Sequence, residues 1–254
     1  MDGMASPILR GEKQEHNETF EDDQKHEHDQ KREHGERRKR LLYEFNLLPA
    51  AYAHSSWIES ICSNNRSSNA FEQQSDHTRC IDQSAELLQH HGLCDKFDWS
   101  VRAASVRMAL MQRTAFMRMC TLLGLMGAGP RMRRTIDGKT LRSLDATFGD
   151  LFEAIWTPEA LVLSRAGAEH NLFKHAEQER LEQTRLVGYK VYKALLYAES
   201  EASPESISRA LFRLPMSVAV EPSVSIDTAV VKPVMRWMCR SAVKRWEPSW
   251  AWLF

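Results

Sequence analysis

Phosphate chemistry is the first that the residue types suggest. Gly138-Lys139-Thr140 has the ending of a phosphate-binding loop, in which backbone amides and a lysine wrap a nucleotide. That loop needs a glycine five positions before Gly138, and position 133 is arginine, so the match fails. Gly124, Gly127 and Gly129 stand in the wrong order for a dinucleotide-binding turn and follow a helical pattern rather than a strand. Neither an HExxH zinc signature nor a GxSxG elbow occurs. His90-His91, and His170 with His175, lack ligand spacing on one helical face and lie near no cysteine pair. Cys62, Cys80, Cys94, Cys120 and Cys239 are odd in number, and none stands in a CxxC pair. They suit a reducing compartment and read as small buried hydrophobes. Acids and histidines occur without a nucleophile and base to link them. The motifs therefore call for no cofactor, no metal and no catalytic residue.

Charge and aromaticity are more informative. From Ser100 to Leu144 stand nine bases, Arg102, Arg107, Arg113, Arg118, Arg131, Arg133, Arg134, Lys139 and Arg142, against the single acid Asp137. The local charge is +8. Such a stretch serves as a nucleic-acid surface, as a dock for an acidic protein, or as an internal partner for the acids of residues 145–205. On a helix Arg102 and Arg113 fall on one side, and Arg107 and Arg118 on another, which argues against one phosphate-tracking stripe. Four of the seven tryptophans, Trp237, Trp246, Trp250 and Trp252, lie in the last 18 residues. They read either as a C-terminal segment packed on the core or as an aromatic anchor for a partner. From charge and aromatic clustering, the expected partner-docking residues are Arg131, Arg133 and Arg134 in a loop after the long helix, with Trp250 and Trp252.

The elements that must position these residues are helical. The chain has 254 residues, with Lys plus Arg and Asp plus Glu both 34, so net charge makes no case for nucleic acid. Residues 1–40 hold 11 acids and 9 bases, and Phe20 is the only large apolar residue between Gly11 and Arg40. Such a segment buries too little surface to offset its ordering entropy, so it reads as a disordered charged tail. A long helix held by i,i+4 ion pairs is the alternative. His16, His26, His28 and His34 there have the makings of opportunistic metal ligands. Residues 41–254 are expected to form one domain. No apolar run approaches the roughly 18 residues of a membrane span, and no secretory h-region is present, so a cytoplasmic protein is expected.

Within that domain, Leu41, Leu42, Phe45 and Leu48 keep helical spacing up to Pro49, which opens a second short helix to Ile58. Residues 63–79 read as a loop, and Ile81 to His91 as a helix stopped by Gly92. Ala104, Met108, Met111, Ala115, Met119, Leu122 and Met126 predict one long helix over 101–128, ended by Gly124, Gly127, Gly129 and Pro130. Leu141 to Ile155 continues the helical pattern, with Gly149 weakening its middle. Thr157-Pro158-Glu159 and Ser203-Pro204-Glu205 are capped helix starts. The first helix is expected to run to about His175 and the second to stop before Pro215. Another helix spans Glu177 to Glu199. Residues 216–231 alternate Val218, Val220, Val224 and Ile226 with small or polar residues, as a hairpin or extended loop would. Val234, Met238 and Ala242 return to helical spacing. The fold class is all-α, a single irregular multi-helix domain of six to eight helices with a disordered N-terminal tail.

Three segments resemble the SctK/YscK family of bacterial type III secretion, which includes NolU- and Hrp-type members. In FNLLPAAYAHSSWI, residues 45–58, Pro49-Ala50-Ala51-Tyr52 followed by His54 is similar to the family's early motif. ALFRLPMSVAVEPS, residues 210–223, is similar to its Arg-Leu-Pro segment, and Ala242 to Phe254 to its basic, apolar ending in Leu-Phe. Leu122 to Leu125 is the only other local match, and the charged tail departs from the pattern. The resemblance implies an all-helical structural adaptor without catalysis or cofactor. It would link the cytoplasmic domain of the SctD-type inner-membrane ring protein to the SctQ-type pod protein. Through the pods it would reach the SctL-type stator and SctN-type ATPase. It would sit in the cytoplasm, peripheral to the inner membrane, without inserting in it or binding nucleic acid. Beside that stand a helical nucleic-acid-binding regulator using 102–142 and Arg37-Arg38-Lys39-Arg40, and a helical enzyme with polar groups converging in a pocket.

Overall fold

Apolar residues at spacings of three and four carry this chain into helices throughout, and no strand occurs among the described residues. The computed structural model describes the backbone of residues 11–64, 75–134, 137–164, 176–223 and 226–254. Their side chains are described from residue 28 on, except those of Asn64, Pro130 and Arg131. The side chains of His16 and His26, His170, His175 and the loop's residues 65–74 lie outside the described residues. So does the helix expected after Thr157, beyond residue 164.

The chain divides into residues 1–41 and a compact body, Leu42–Phe254. Helix α1 is Gly11–Leu47. Over residues 11–40 the structure thus has helix, the alternative that ion pairing allows for a charged tail. Lys39 and Glu36 make one such pair at 2.8 Å, both side chains exposed.

In the body, Phe45 and Leu42 are buried, and a 3-10 turn, Pro49–Ala51, leads to α2, Ser55–Asn64. Helix α3, Asp76–His90, starts on Ser75, whose hydroxyl accepts the Thr78 amide. It stops at Gly92, where φ is +62°. The expected long helix is instead two, α4 Ala104–Ala109 and α5 Arg113–Met132. The cause is distant in sequence: Arg213 draws the carbonyls of Ala109 and Met111 out of the helical ladder. Gly124, Gly127, Gly129 and Pro130 do not end the helix, since α5 continues to Met132.

Two helical glycines are packing surfaces. A Cβ on Gly124 would lie 2.0 Å from the Thr184 carbonyl oxygen, and one on Gly188 only 1.7 Å from that of Cys120. These positions let α5 and α8, Arg180–Ala198, touch backbone to backbone. Between them α6, Gly138–Phe148, gives way at Gly149 (φ +55°) to the 3-10 segment Gly149–Trp156, and α7 is Pro158–Leu163. Thr157 stands before α7 as expected, but its hydroxyl donates to Ala154 and does not cap.

Helix α9, Pro204–Leu211, has the cap expected of Ser203, which accepts the Ser206 amide. The extended pattern of 216–231 gives way to helix at both its ends, and Val224 lies outside the described residues. Met216–Val220 is helix α10, and α11 is Thr228–Trp237, begun by Asp227 on the Ala229 amide. Lys193 explains the first: its ammonium, on a side chain buried from α8, takes the carbonyls of Val218 (3.0 Å), Ala219 (2.6 Å) and Glu221 at the end of α10. A π-turn, Met238–Ala242, passes into α12, Val243–Trp246, and the last 3-10 segment is Pro248–Leu253. No described helix is long and apolar enough to cross a membrane.

Candidate functional site

The two resembling segments around residues 50 and 213 form one node. His54 donates its amide to the Phe212 carbonyl at 2.7 Å, and the Trp57 indole N–H donates to Leu214 O at 2.9 Å. Met216 N–H donates to the Ser56 hydroxyl at 2.9 Å. The Tyr52 hydroxyl donates to Phe45 O at 2.9 Å, and its ring stacks on Phe45 at 5.7 Å. Arg213 lies 5.0 Å from the Tyr52 ring centre and 5.6 Å from that of Phe116. Its Nε donates to Ala109 O at 2.7 Å, and Nη2 donates to Met111 O. Burial pulls its pKa down to about 10, so it stays charged at neutral pH. His54 is equally committed: Nδ1 accepts the Ser56 amide at 3.3 Å, and burial lowers its pKa. Trp57, His91 and Phe212 pack edge to face at 5.1–5.3 Å, beside a cleft of about 260 Å³ lined by Ile61, Leu87, Met216 and Val220.

A second polar anchor adjoins this node. Arg209, fully buried, donates to Asn46 O (3.3 Å) and Leu93 O (3.0 Å). Asn46 in turn grips the backbone of Asp98 through both its side-chain atoms at 2.9 Å. Asp98 accepts from Ser100, Val101, Ser203 and Ser206. Burial pushes its carboxyl up, but the bonds from Ser206, Val101 and Ser100 outweigh that and hold it at about 2. Glu199 accepts the amides of Ala104 and Ser105 and so caps α4. These charged groups hold backbone in place. The sequence pattern assigned none of them this task, although Arg213 stands in the Arg-Leu-Pro segment.

Part of the basic stretch is turned to internal partners, while Arg102, Arg113, Lys139 and Arg142 are exposed. Arg107 donates to the carbonyls of Arg102 (2.9 Å) and Leu253 (3.3 Å). Arg118 pairs with Asp150 and, at 3.7 Å, Glu247. Arg133 donates to Ile155 O at 2.7 Å and Thr157 O at 2.6 Å. Arg134 is exposed, and the Arg131 side chain lies outside the described residues. The tryptophans split as well. Trp250 is 3% exposed, with Trp252, half-buried, stacked on it at 6.3 Å. Trp246 donates to Asp150 O at 3.0 Å, so the ending packs on the segment Gly149–Trp156 that Arg133 also grips. Among the described residues no three His, Cys, Asp or Glu side chains group to hold a metal, and all five cysteines are free.

The family model for YOP proteins translocation protein K (YscK) matches residues 41–254, which is the compact body to within one residue. No curated protein and no solved structure matches the chain.

Proposed function

The chain belongs to the YscK family of type III secretion proteins, and on that premise we propose that it is a structural adaptor of the secretion apparatus. It joins the cytoplasmic domain of the SctD-type inner-membrane ring protein to the SctQ-type pod protein. Through the pod it connects to the SctL-type stator and SctN-type ATPase. It acts in the cytoplasm at the base of the apparatus, without a catalytic step or a cofactor. The observation that carries this reading is the family match running unbroken over one compact body. The arginine node supports it: charge buried to fasten backbone suits a rigid spacer with two separate interfaces. The exposed Arg134 and the half-buried Trp252 are the residues we assign to such interfaces.

The test is to tag the chain in its native bacterium, purify it from detergent-solubilised cells, and identify what accompanies it by mass spectrometry. Recovery of the pod and ring proteins is expected. Recovery of nucleic acid or a metabolic complex, with no secretion component, would overturn the adaptor.

A further inference from the structure

Trp156 is a large aromatic left 53% exposed on a segment otherwise tied down. It ends the 3-10 segment Gly149–Trp156, and the residues on either side of it are held by one side chain. Arg133 donates to the carbonyl before it, Ile155, and to the carbonyl after it, Thr157. The same guanidinium lies 5.8 Å from the indole centre. Backbone and ring are therefore fixed before anything binds, while half the indole faces water. Arg134 adds an exposed cation next to the clamp. Across residues 131–139 the sequence has Arg131, Arg133, Arg134 and Lys139 against Asp137, a charge of +3. Asp137 is turned inward to its own helix, accepting the amides of Lys139 and Thr140. Glu153, three residues before Trp156, is paired with Arg245.

We propose that this corner is a docking site for an acidic protein segment. The segment lays an apolar side chain on the Trp156 indole and brings carboxylates to Arg133 and Arg134. Tryptophan and arginine are the residues on which binding energy concentrates. Here the ordering cost is reduced because the arginine is already in place. A protein fits better than a nucleic acid, since Arg107 and Arg118 are turned to internal partners and interrupt a phosphate track along the stretch. The inference rests on the adaptor reading only in assigning that segment to the apparatus.

The experiment uses the full chain in the native bacterium, with Trp156 replaced by the photo-crosslinker p-benzoylphenylalanine and exposed Tyr197 replaced in a control. Crosslinked peptides are mapped, and a labelled synthetic peptide of the mapped segment is titrated against purified protein. Expected are a crosslink at 156 and not at 197, to an acidic segment, and at least tenfold weaker peptide binding by Trp156→Ala and by Arg134→Glu. The thermal melts of both variants should be unchanged. A chain that still recovers pod and ring proteins while position 156 crosslinks to nothing overturns the corner and leaves the adaptor standing. A crosslink to nucleic acid also overturns it. If no secretion component is recovered but 156 crosslinks to an acidic segment of another protein, the corner stands and the adaptor falls.

Discussion

Arg213 sits where two carbonyls leave the helical ladder between α4 and α5, and it replaces the bonds they lose. A buried acceptor left without a partner costs about 1–3 kcal/mol. Arg213→Leu strands two, so urea unfolding should show a loss of about 3 kcal/mol or more. Arg213→Lys recovers only part, because an ammonium lacks the planar fork that reaches both oxygens. Asp98 has a pH signature. Its carboxyl is held at about 2, below the ordinary value near 3.9 that it regains on unfolding. The stabilisation is full above about 3.9 and is lost as pH falls from there through 2. Asp98→Asn should lower stability at pH 7 and flatten the acid limb of the stability curve in that window. Arg213 stood in a segment legible as a family mark, yet its task was hidden because its partners lie 102 and 104 residues away.

At the scale of elements, the glycines of α5 and α8 reverse an ordinary expectation. Alanine in a helix interior is favoured over glycine by about 1 kcal/mol. Gly188→Ala should nevertheless destabilise, at the upper end of the ~1–3 kcal/mol of overpacking, because its Cβ would meet a backbone oxygen that cannot turn aside. Gly35→Ala, with nothing within 4 Å of the added atom, should only raise helicity. Circular dichroism and chemical unfolding of the two variants separate these signs. The same contrast marks what was readable. Helical periodicity and the all-α class were plain from spacings within one window, as were the Ser203 cap and the Gly92 stop. The break at Leu110 was not, nor the helical state of Met216–Val220, because Arg213 and Lys193 impose them from elsewhere. Of the docking candidates, Arg134 was found exposed by position alone. Trp156 gave no signal, since a lone tryptophan at the end of an apolar helical run reads as core.

For the molecule as a whole, the match to the family and the compact body begin at nearly the same residue, 41 and 42. A chain of residues 41–254 should unfold in one cooperative transition, within about 0.5 kcal/mol of the full chain, as changes outside a packed core do. Calorimetry of the two chains checks this. The node of the body also joins its early and late thirds: Trp57 bonds to Leu214 across 157 positions. On the ribosome, at roughly 5–20 residues per second, those positions take about 8–30 s to add. Through that interval the apolar stretch around Phe45 and Trp57 waits with its partner unmade, a client for any chaperone at the exit tunnel. The residues around Leu214 thus complete the fold of those around Trp57.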